Sequence, residues 1–275
     1  MEMTDRYALF GNPLGHSKSP LIHGEFARET GQDMSYELIQ APLDGFAAAV
    51  AEFRARGGRG MNVTMPFKLE AFALATELSQ RARLAGAANA LKVEGQRLLA
   101  ENFDGVGLVN DIQRNLDYPM SGTRVLLMGA GGAARGAMLP ILEQRPARLV
   151  VANRTIAKAV SLGAQFQSMR PVEAGGYGDI GSRGYDIVIN ATSASMRGEL
   201  PAVPATAFAA GCLAYELVYG RGLTPFLRLA RDSGAARVAD GIGMLVEQAA
   251  EAFEWWRGVR PSTAPVIEAL KVPLV

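Results

Sequence analysis

Arg124-Val125-Leu126-Leu127-Met128-Gly129-Ala130-Gly131-Gly132-Ala133-Ala134 is the stretch on which the fold turns. It begins with a short apolar run that ends in glycine, as expected of a strand buried on both faces. The last six residues follow the pattern G-x-G-x-x-A and lead into a helical pattern ending near Glu143. In that strand–turn–helix setting Gly129 permits the tight turn, Gly131 lets backbone N–H groups approach a pyrophosphate, and Ala134 allows close helix–strand packing. Ala130, Gly132 and Ala133 complete a turn that would hold an anion at a helix N-terminus, where unpaired N–H groups and the helix dipole favour negative charge. The competing reading is a tight turn with no ligand.

The end of the next strand, Leu149-Val150-Val151-Ala152, selects the dinucleotide. An NAD site places Asp or Glu about 20 residues after the glycines, to accept from the ribose 2′-hydroxyl. Here Asn153-Arg154-Thr155 follows, with Lys158 one turn later. A guanidinium matches a 2′-phosphate in geometry and charge, so NADP(H) is favoured over NAD. Against this stands a surface role for Arg154 and Lys158, although cations at a helix start are slightly unfavourable with the dipole.

Working outward, Ile187-Val188-Ile189 and Leu213-Ala214-Tyr215 continue this second series of strands. An earlier series runs from Tyr7–Phe10 through helical and apolar segments to Gly60–Val63, again alternating as in an α/β domain. The expected fold class is therefore α/β with two domains. One is an N-terminal α/β substrate domain with a mainly parallel sheet, the other a Rossmann-like NADP-binding domain, with the active site in the cleft between them. The expected boundaries are 1–104 plus 244–275 for the first and 105–243 for the second. A linker is expected between Asp104 and Gly122, punctuated by Gly105, Gly107, Pro119 and Gly122.

The 275 residues carry a net charge of +1, which predicts no general attraction to nucleic acid or anionic membrane. No apolar run is long enough for a membrane span and no signal-like segment opens the chain, so a cytoplasmic protein is expected. The single cysteine, Cys212, excludes an internal disulfide and reads as a core residue. The two histidines, His16 and His23, do not cluster with metal-ligand spacing, so no metal site is expected. His23 reads as a partly buried structural residue.

Asn62-Val63-Thr64-Met65-Pro66-Phe67-Lys68 gathers two short hydrogen-bonding side chains, a proline and a lysine directly after a strand-like run. Such a segment can hold a cation in a cleft, where it exchanges a proton with an oxygen. An isolated lysine after a strand is more often a solvated surface residue.

The ordered set Ser17-Lys18-Ser19-Pro20, Asn62 to Lys68, Gly86-Ala87-Ala88-Asn89, Asn102-Phe103-Asp104-Gly105, the glycine turn, Asn153-Arg154-Thr155, Asn190-Ala191-Thr192-Ser193 and Asp240 to Gln248 resembles the shikimate dehydrogenases over nearly the full length. The resemblance implies NADP(H)-dependent interconversion of 3-dehydroshikimate and shikimate, on the way to chorismate and the aromatic amino acids. It implies Lys68 and Asp104 as the catalytic pair, 36 positions apart. Ser17 and Ser19 would bind the substrate carboxylate, and Asn62, Thr64, Asn89 and Gln248 the ring hydroxyls and nearby polar groups. Tyr215 would face the substrate, while Thr192, Gly241 and Met244 would lie on the cofactor side. Alternative roles are a helix cap for Ser19, turn and cap roles for the Asn and Thr residues, and core packing for Tyr215 and Met244.

Two departures from the family pattern stand out. Phe103 replaces the usual threonine beside Asp104, and Ser195 stands where glycine is usual, putting a Cβ where close cofactor approach is expected. Two rival functions accompany this reading: a quinate/shikimate dehydrogenase of broader substrate and cofactor use, and a non-catalytic NADP-binding regulatory protein. The family includes monomers and dimers, and a homodimer is the expectation.

Overall fold

The computed structural model describes residues 4–181 and 184–274, which divide by contacts into two units. The first comprises Met1–Gly107 and Val246–Val266, the second Leu108–Leu245 and Ile267–Val275. The expected scheme placed all of 244–275 in the first unit, whereas the last segment groups with the second.

In the first unit the strands are β1 (Asp5–Gly11), β2 (Met34–Gln40), β3 (Gly58–Val63), β4 (Glu77–Leu78), β5 (Ala90–Glu94) and β6 (Arg97–Glu101), ordered β2-β1-β3-β5-β6-β4. The β1–β2, β1–β3 and β4–β6 pairs are parallel, and β3–β5 and β5–β6 are antiparallel. The antiparallel hairpin turns at Gly95, whose φ of 60° suits a residue without a Cβ. Around this sheet lie α1 (Ser19–Thr30), α2 (Phe46–Ala55), α3 (Lys68–Leu74) and α4 (Gln80–Ala85). Phe10, Phe46, Phe53, Met61, Phe67 and Leu91 form the centre of the core on one face. On the other face Tyr7 stacks on Trp256, with ring centroids 4.9 Å apart.

Register explains why the polar residues gather. Asn62 lies opposite Ala90, and Ala90 opposite Glu101. Because β5 runs against both neighbours, its beginning lies beside the ends of β3 and β6. Asn62, Asn89 and Asn102–Asp104 therefore collect at one end of the sheet.

Residues expected to form a linker are instead helical: α5 (Asp104–Asn110) continues directly into a π-helical turn, Asp111–Asn115. Gly105 and Gly107 do not interrupt it, because Leu108, Val109 and Ile112 are buried and their burial outweighs the glycine penalty.

The second unit is an all-parallel sheet of β7 (Arg124–Met128), β8 (Arg148–Ala152), β9 (Glu173–Gly175), β10 (Tyr185–Asn190), β11 (Phe208–Glu216) and β12 (Arg237–Ala239). Its order, β12-β11-β10-β7-β8-β9, is that of the Rossmann fold. The helices include α6 (Gly132–Glu143), α7 (Ile156–Ala164) and α8 (Pro225–Asp232). Two more helices, α9 (Ile242–Arg257) and α10 (Ala264–Leu270), complete the described chain. The central strands are apolar on both faces, as parallel strands covered by helices must be. Cys212 belongs to this core, and burial pushes its thiol up to about 12. Among the described residues no helix is long and apolar enough to cross a membrane, and no cluster of His, Cys, Asp and Glu could hold a metal ion.

Candidate active site

Lys68 opens α3, a position where its charge opposes the helix dipole, and Asp104 opens α5, where a carboxylate is favoured. The two meet: Lys68 Nζ donates to Asp104 Oδ2 at 2.6 Å. Lys68 is also tied through its backbone, its carbonyl accepting from Ala88 N at 2.9 Å.

The carboxylate is held on both oxygens, and its backbone is tied as well. Asn89 Nδ2 donates to Asp104 Oδ1 at 2.8 Å and to Gln248 Oε1 at 3.1 Å, while Asn89 Oδ1 accepts from Phe103 N at 2.8 Å. Asp104 N donates to Asn102 Oδ1 at 3.2 Å, and Asn102 Nδ2 to Ala87 O at 3.0 Å. Glu101, gripped by Ser79 and Arg81, accepts from Asn102 N at 2.7 Å. Phe103 is buried and packs with Tyr7, Ala90 and Trp256, so the departure from threonine places a core side chain beside a carboxylate that keeps its bonds.

Of the expected carboxylate-binding pair, Ser17 Oγ accepts from Ser19 N at 3.2 Å. Ser19 does not cap α1; Lys18 is the N-cap residue, without a side-chain cap bond, and Pro20 sits in the first turn. The Ser19 side chain hydrogen-bonds Tyr36. Thr64 is half-buried, and its hydroxyl makes no hydrogen bond among the described residues. Ser17, Ser19, Asn62, Thr64, Lys68, Asn89, Asp104 and Gln248 thus all belong to the first unit.

In the second unit the glycine turn adopts the expected geometry. Gly129 has φ of 110°, and a Cβ there would lie 3.0 Å from Ala191 O, so only glycine fits. Its N–H donates to Ala152 O at 2.8 Å, joining the turn to the end of β8. Gly131 is the N-cap of α6 with no side-chain cap, and Gly131, Gly132 and Ala133 are exposed. The Asn153–Thr155 loop is pinned by Asn153 Nδ2 on Thr155 O at 2.9 Å, leaving Arg154 and Lys158 exposed. Among the described residues neither cation has an ion-pair partner. An uncapped helix N-terminus with exposed cations after the second strand fits a pyrophosphate and a 2′-phosphate.

Three expected residues have internal roles. Thr192 Oγ1 donates to Asn190 Oδ1 at 2.7 Å. A Cβ on Gly241 would overlap the Leu217 carbonyl, so close backbone packing already requires glycine there. Tyr215 is fully buried, its hydroxyl donating to Asp111 Oδ2 at 2.7 Å and accepting from Met244 N at 3.3 Å. Burial, with Asp111 beside it, pushes the Tyr215 phenol well above its ordinary range.

The sequence reading missed Asp111, a carboxylate in a buried helical turn, and Glu216. Glu216 is fully buried and accepts from Ser195 Oγ, from Asn190 Nδ2 at 2.9 Å and from Thr224 Oγ1 at 3.3 Å. Burial raises its pKa against these bonds. The Ser195 hydroxyl is thus spent inside the protein under the loop after β10.

The Rossmann order, the glycine turn and a lysine–carboxylate pair define a two-domain, dinucleotide-dependent oxidoreductase. Residues 9–91 match the shikimate dehydrogenase substrate binding domain, 111–197 match shikimate / quinate 5-dehydrogenase, and 241–271 match the shikimate 5′-dehydrogenase C-terminal domain. The chain is 57% identical over 272 residues to the shikimate dehydrogenase (NADP(+)) of Nitrosospira multiformis, covering 99% of each. A crystal structure of an Ael1 enzyme from Pseudomonas putida superposes with a TM-score of 0.95 at 57% identity, covering 98% of this chain and 100% of that one. The shikimate 5-dehydrogenase of Thermus thermophilus, in complex with NADP(H) and shikimate, superposes with a TM-score of 0.86 at 31% identity, covering 97% and 98%. The chain belongs to the NADP-dependent shikimate dehydrogenase family.

Proposed function

We infer that this chain catalyses the reversible, NADP(H)-dependent reduction of 3-dehydroshikimate to shikimate. The observation that carries the reading is the Lys68–Asp104 pair with the asparagines that fix it, in a chain whose near-full-length relatives bear that activity in their names.

The bound cofactor supplies hydride chemistry at the ring carbonyl carbon. Reduction leaves negative charge on the carbonyl oxygen, and Lys68 Nζ is the proton donor to it, becoming the acceptor in oxidation. Asp104 orients the ammonium through Oδ2, while Asn89 on Oδ1 keeps the carboxylate from turning away. Lys68 has further N–H groups to point at a substrate oxygen. Ser17 and Ser19 are the proposed carboxylate donors, and Asn62, Thr64, Asn89 and Gln248 the ligands of ring oxygens. On the cofactor side, the turn from Gly129 to Ala133 receives the pyrophosphate, and Asn153, Arg154, Thr155 and Lys158 the adenosine 2′-phosphate. Thr192, Gly241 and Met244 are the proposed residues on the nicotinamide side, with Gly241 packed on the Leu217 carbonyl and Met244 N donating to the Tyr215 hydroxyl.

The test is loss of reduced-nicotinamide absorbance on adding 3-dehydroshikimate to the purified chain, with NADPH and NADH in parallel. Rapid loss with NADPH and little with NADH is expected. NADPH binding without turnover would overturn the reading in favour of a cofactor-binding regulator, and equal rates with quinate oxidation would favour the broader dehydrogenase.

A further inference from the structure

Asn62 is 5% exposed, and its amide is already half spoken for. Its Oδ1 accepts from the Tyr36 hydroxyl at 2.8 Å and lies 3.0 Å from His23 Nε2. An amide oxygen has two lone pairs, so these two donors saturate it. Nδ2 reaches Asn89 O at 3.4 Å with one hydrogen, leaving the other for a ligand.

His23 sits at the bottom of this arrangement with no exposed surface. It stacks on Tyr36 with centroids 4.2 Å apart and an interplanar angle of 10°, and Phe26, Phe253 and Trp256 surround it. Its Nδ1 is the one buried side-chain N or O atom without a hydrogen-bond partner among the described residues. That orphan settles the tautomer. With the proton on Nε2, the unpaired group is a lone pair; with the proton on Nδ1, a buried N–H would be stranded, and Nε2 would face the Asn62 oxygen as acceptor against acceptor. Turning the Asn62 amide over would set its oxygen against the Asn89 carbonyl, acceptor against acceptor. Burial pushes the imidazole down to about 3, so the ring stays neutral and its single proton serves Asn62 across the neutral range.

We propose that His23 is a positioning residue for substrate recognition: its Nε2–H, with the Tyr36 hydroxyl, locks the Asn62 amide so that only its nitrogen faces the substrate. Asn62 is thereby a donor and never an acceptor, and the ring oxygen it meets must accept. The histidine touches no substrate. This rests on the assignment of Asn62 to a substrate oxygen.

The experiment is steady-state kinetics of His23→Met, His23→Gln, Asn62→Ala and the His23→Met/Asn62→Ala double variant, each saturated in turn with NADP and with shikimate. A glutamine Nε2 can reach the place of the histidine Nε2, whereas methionine fills the space without a donor. His23→Met is expected to raise KM for shikimate roughly 3- to 10-fold, the range for one lost neutral hydrogen bond. KM for NADP should stay within about twofold, with the His23→Gln variant within about twofold of wild type throughout. In the Asn62→Ala background, His23→Met should cost nothing further, because its partner is gone. Losses that add in the double variant, or a His23→Met variant with unchanged KM for shikimate, would overturn the proposal while leaving Asn62 in place. Unchanged KM for shikimate in Asn62→Ala would instead remove Asn62 from the substrate and take the proposal with it. Nitrogen NMR of the wild-type imidazole is independent of whether any variant folds: a proton on Nε2 is expected, and one on Nδ1 would overturn the proposal.

Discussion

Replacing Asn89 with alanine removes three hydrogen bonds from a side chain that is 3% exposed. The Phe103 N–H, which donates to Asn89 Oδ1 at 2.8 Å, is left unpaired in a buried residue, at a cost of about 1–3 kcal/mol. Asp104 loses the 2.8 Å donor on Oδ1, and a hydrogen bond to a charged group contributes roughly 1.5–3 kcal/mol. Asp104 is only partly buried, so water replaces some of that second contribution, and a net destabilisation of about 2–4 kcal/mol is expected. For domains of this size that corresponds to a melting temperature lower by roughly 5–10 °C. Turnover should fall as well, by about 10- to 100-fold, because a carboxylate held on one oxygen alone no longer fixes the direction of the Lys68 ammonium.

Asn89→Asp separates the two effects. It keeps the acceptor for Phe103 N–H but sets a second carboxylate against Asp104 Oδ1, where like charge raises the pKa of one of the two. The aspartate variant should therefore be better folded than the alanine variant near the acidic end of the range and lose stability as pH rises through that raised value. Differential scanning calorimetry and steady-state rates on both variants test this. A melting point within about 1 °C of wild type, with turnover within about twofold, would refute the claim that Asn89 holds the catalytic carboxylate.

Arg154→Ala should raise KM for NADPH about 10- to 100-fold and leave KM for NADH within about twofold; equal changes would refute the 2′-phosphate contact. Gly243→Ala would drive a Cβ into the Asp111 carboxylate and break its bond to Tyr215, costing about 2–4 kcal/mol in urea unfolding. Unfolding free energy within about 0.5 kcal/mol of wild type would show that Asp111 has room to move. Burial raises the Glu216 carboxyl above its ordinary value, so the folded protein holds that proton more tightly than the unfolded chain. Its contribution is fully present below the ordinary carboxyl value and is lost as pH rises through the raised one. Asp240, also raised by burial, adds in the same direction. Urea unfolding across that window should give a shallower decline for Glu216→Gln than for wild type, and parallel curves would acquit Glu216.

Much of the second unit was legible because its cues are local. Gly129 to Ala134 lie in one turn, and the apolar runs of β7, β8 and β10 need no alternation when both faces are covered. The β5–β6 hairpin was not read, since its strands are short and Lys92, Glu94, Arg97 and Glu101 dilute the hydrophobic pattern. Glycines 105 and 107 suggested a linker, and only the burial of Leu108 and Ile112 makes the segment a helix. Among site residues, Lys68 stood out by its place after a strand and Asp104 only through the family resemblance, and the structure brings them together. Asp111, Glu216 and His23 act through partners 104, 21 to 26 and 39 positions away, respectively, so no local pattern announces them. For Tyr215 the resemblance implied a substrate-facing place and its strand end implied core packing; the side chain is fully buried, and its bond to Asp111, 104 positions away, had no local signal.

The proposed mechanism requires Lys68 to move the proton and not merely to bind. Lys68→Met keeps the length of the side chain and removes the ammonium. The decisive measurement compares its turnover with its dissociation constant for shikimate, obtained by isothermal titration. Turnover is expected to fall by about 100- to 10,000-fold, with shikimate affinity changed by less than about fivefold. Turnover within about threefold of wild type, or a loss of affinity as large as the loss of turnover, would contradict it.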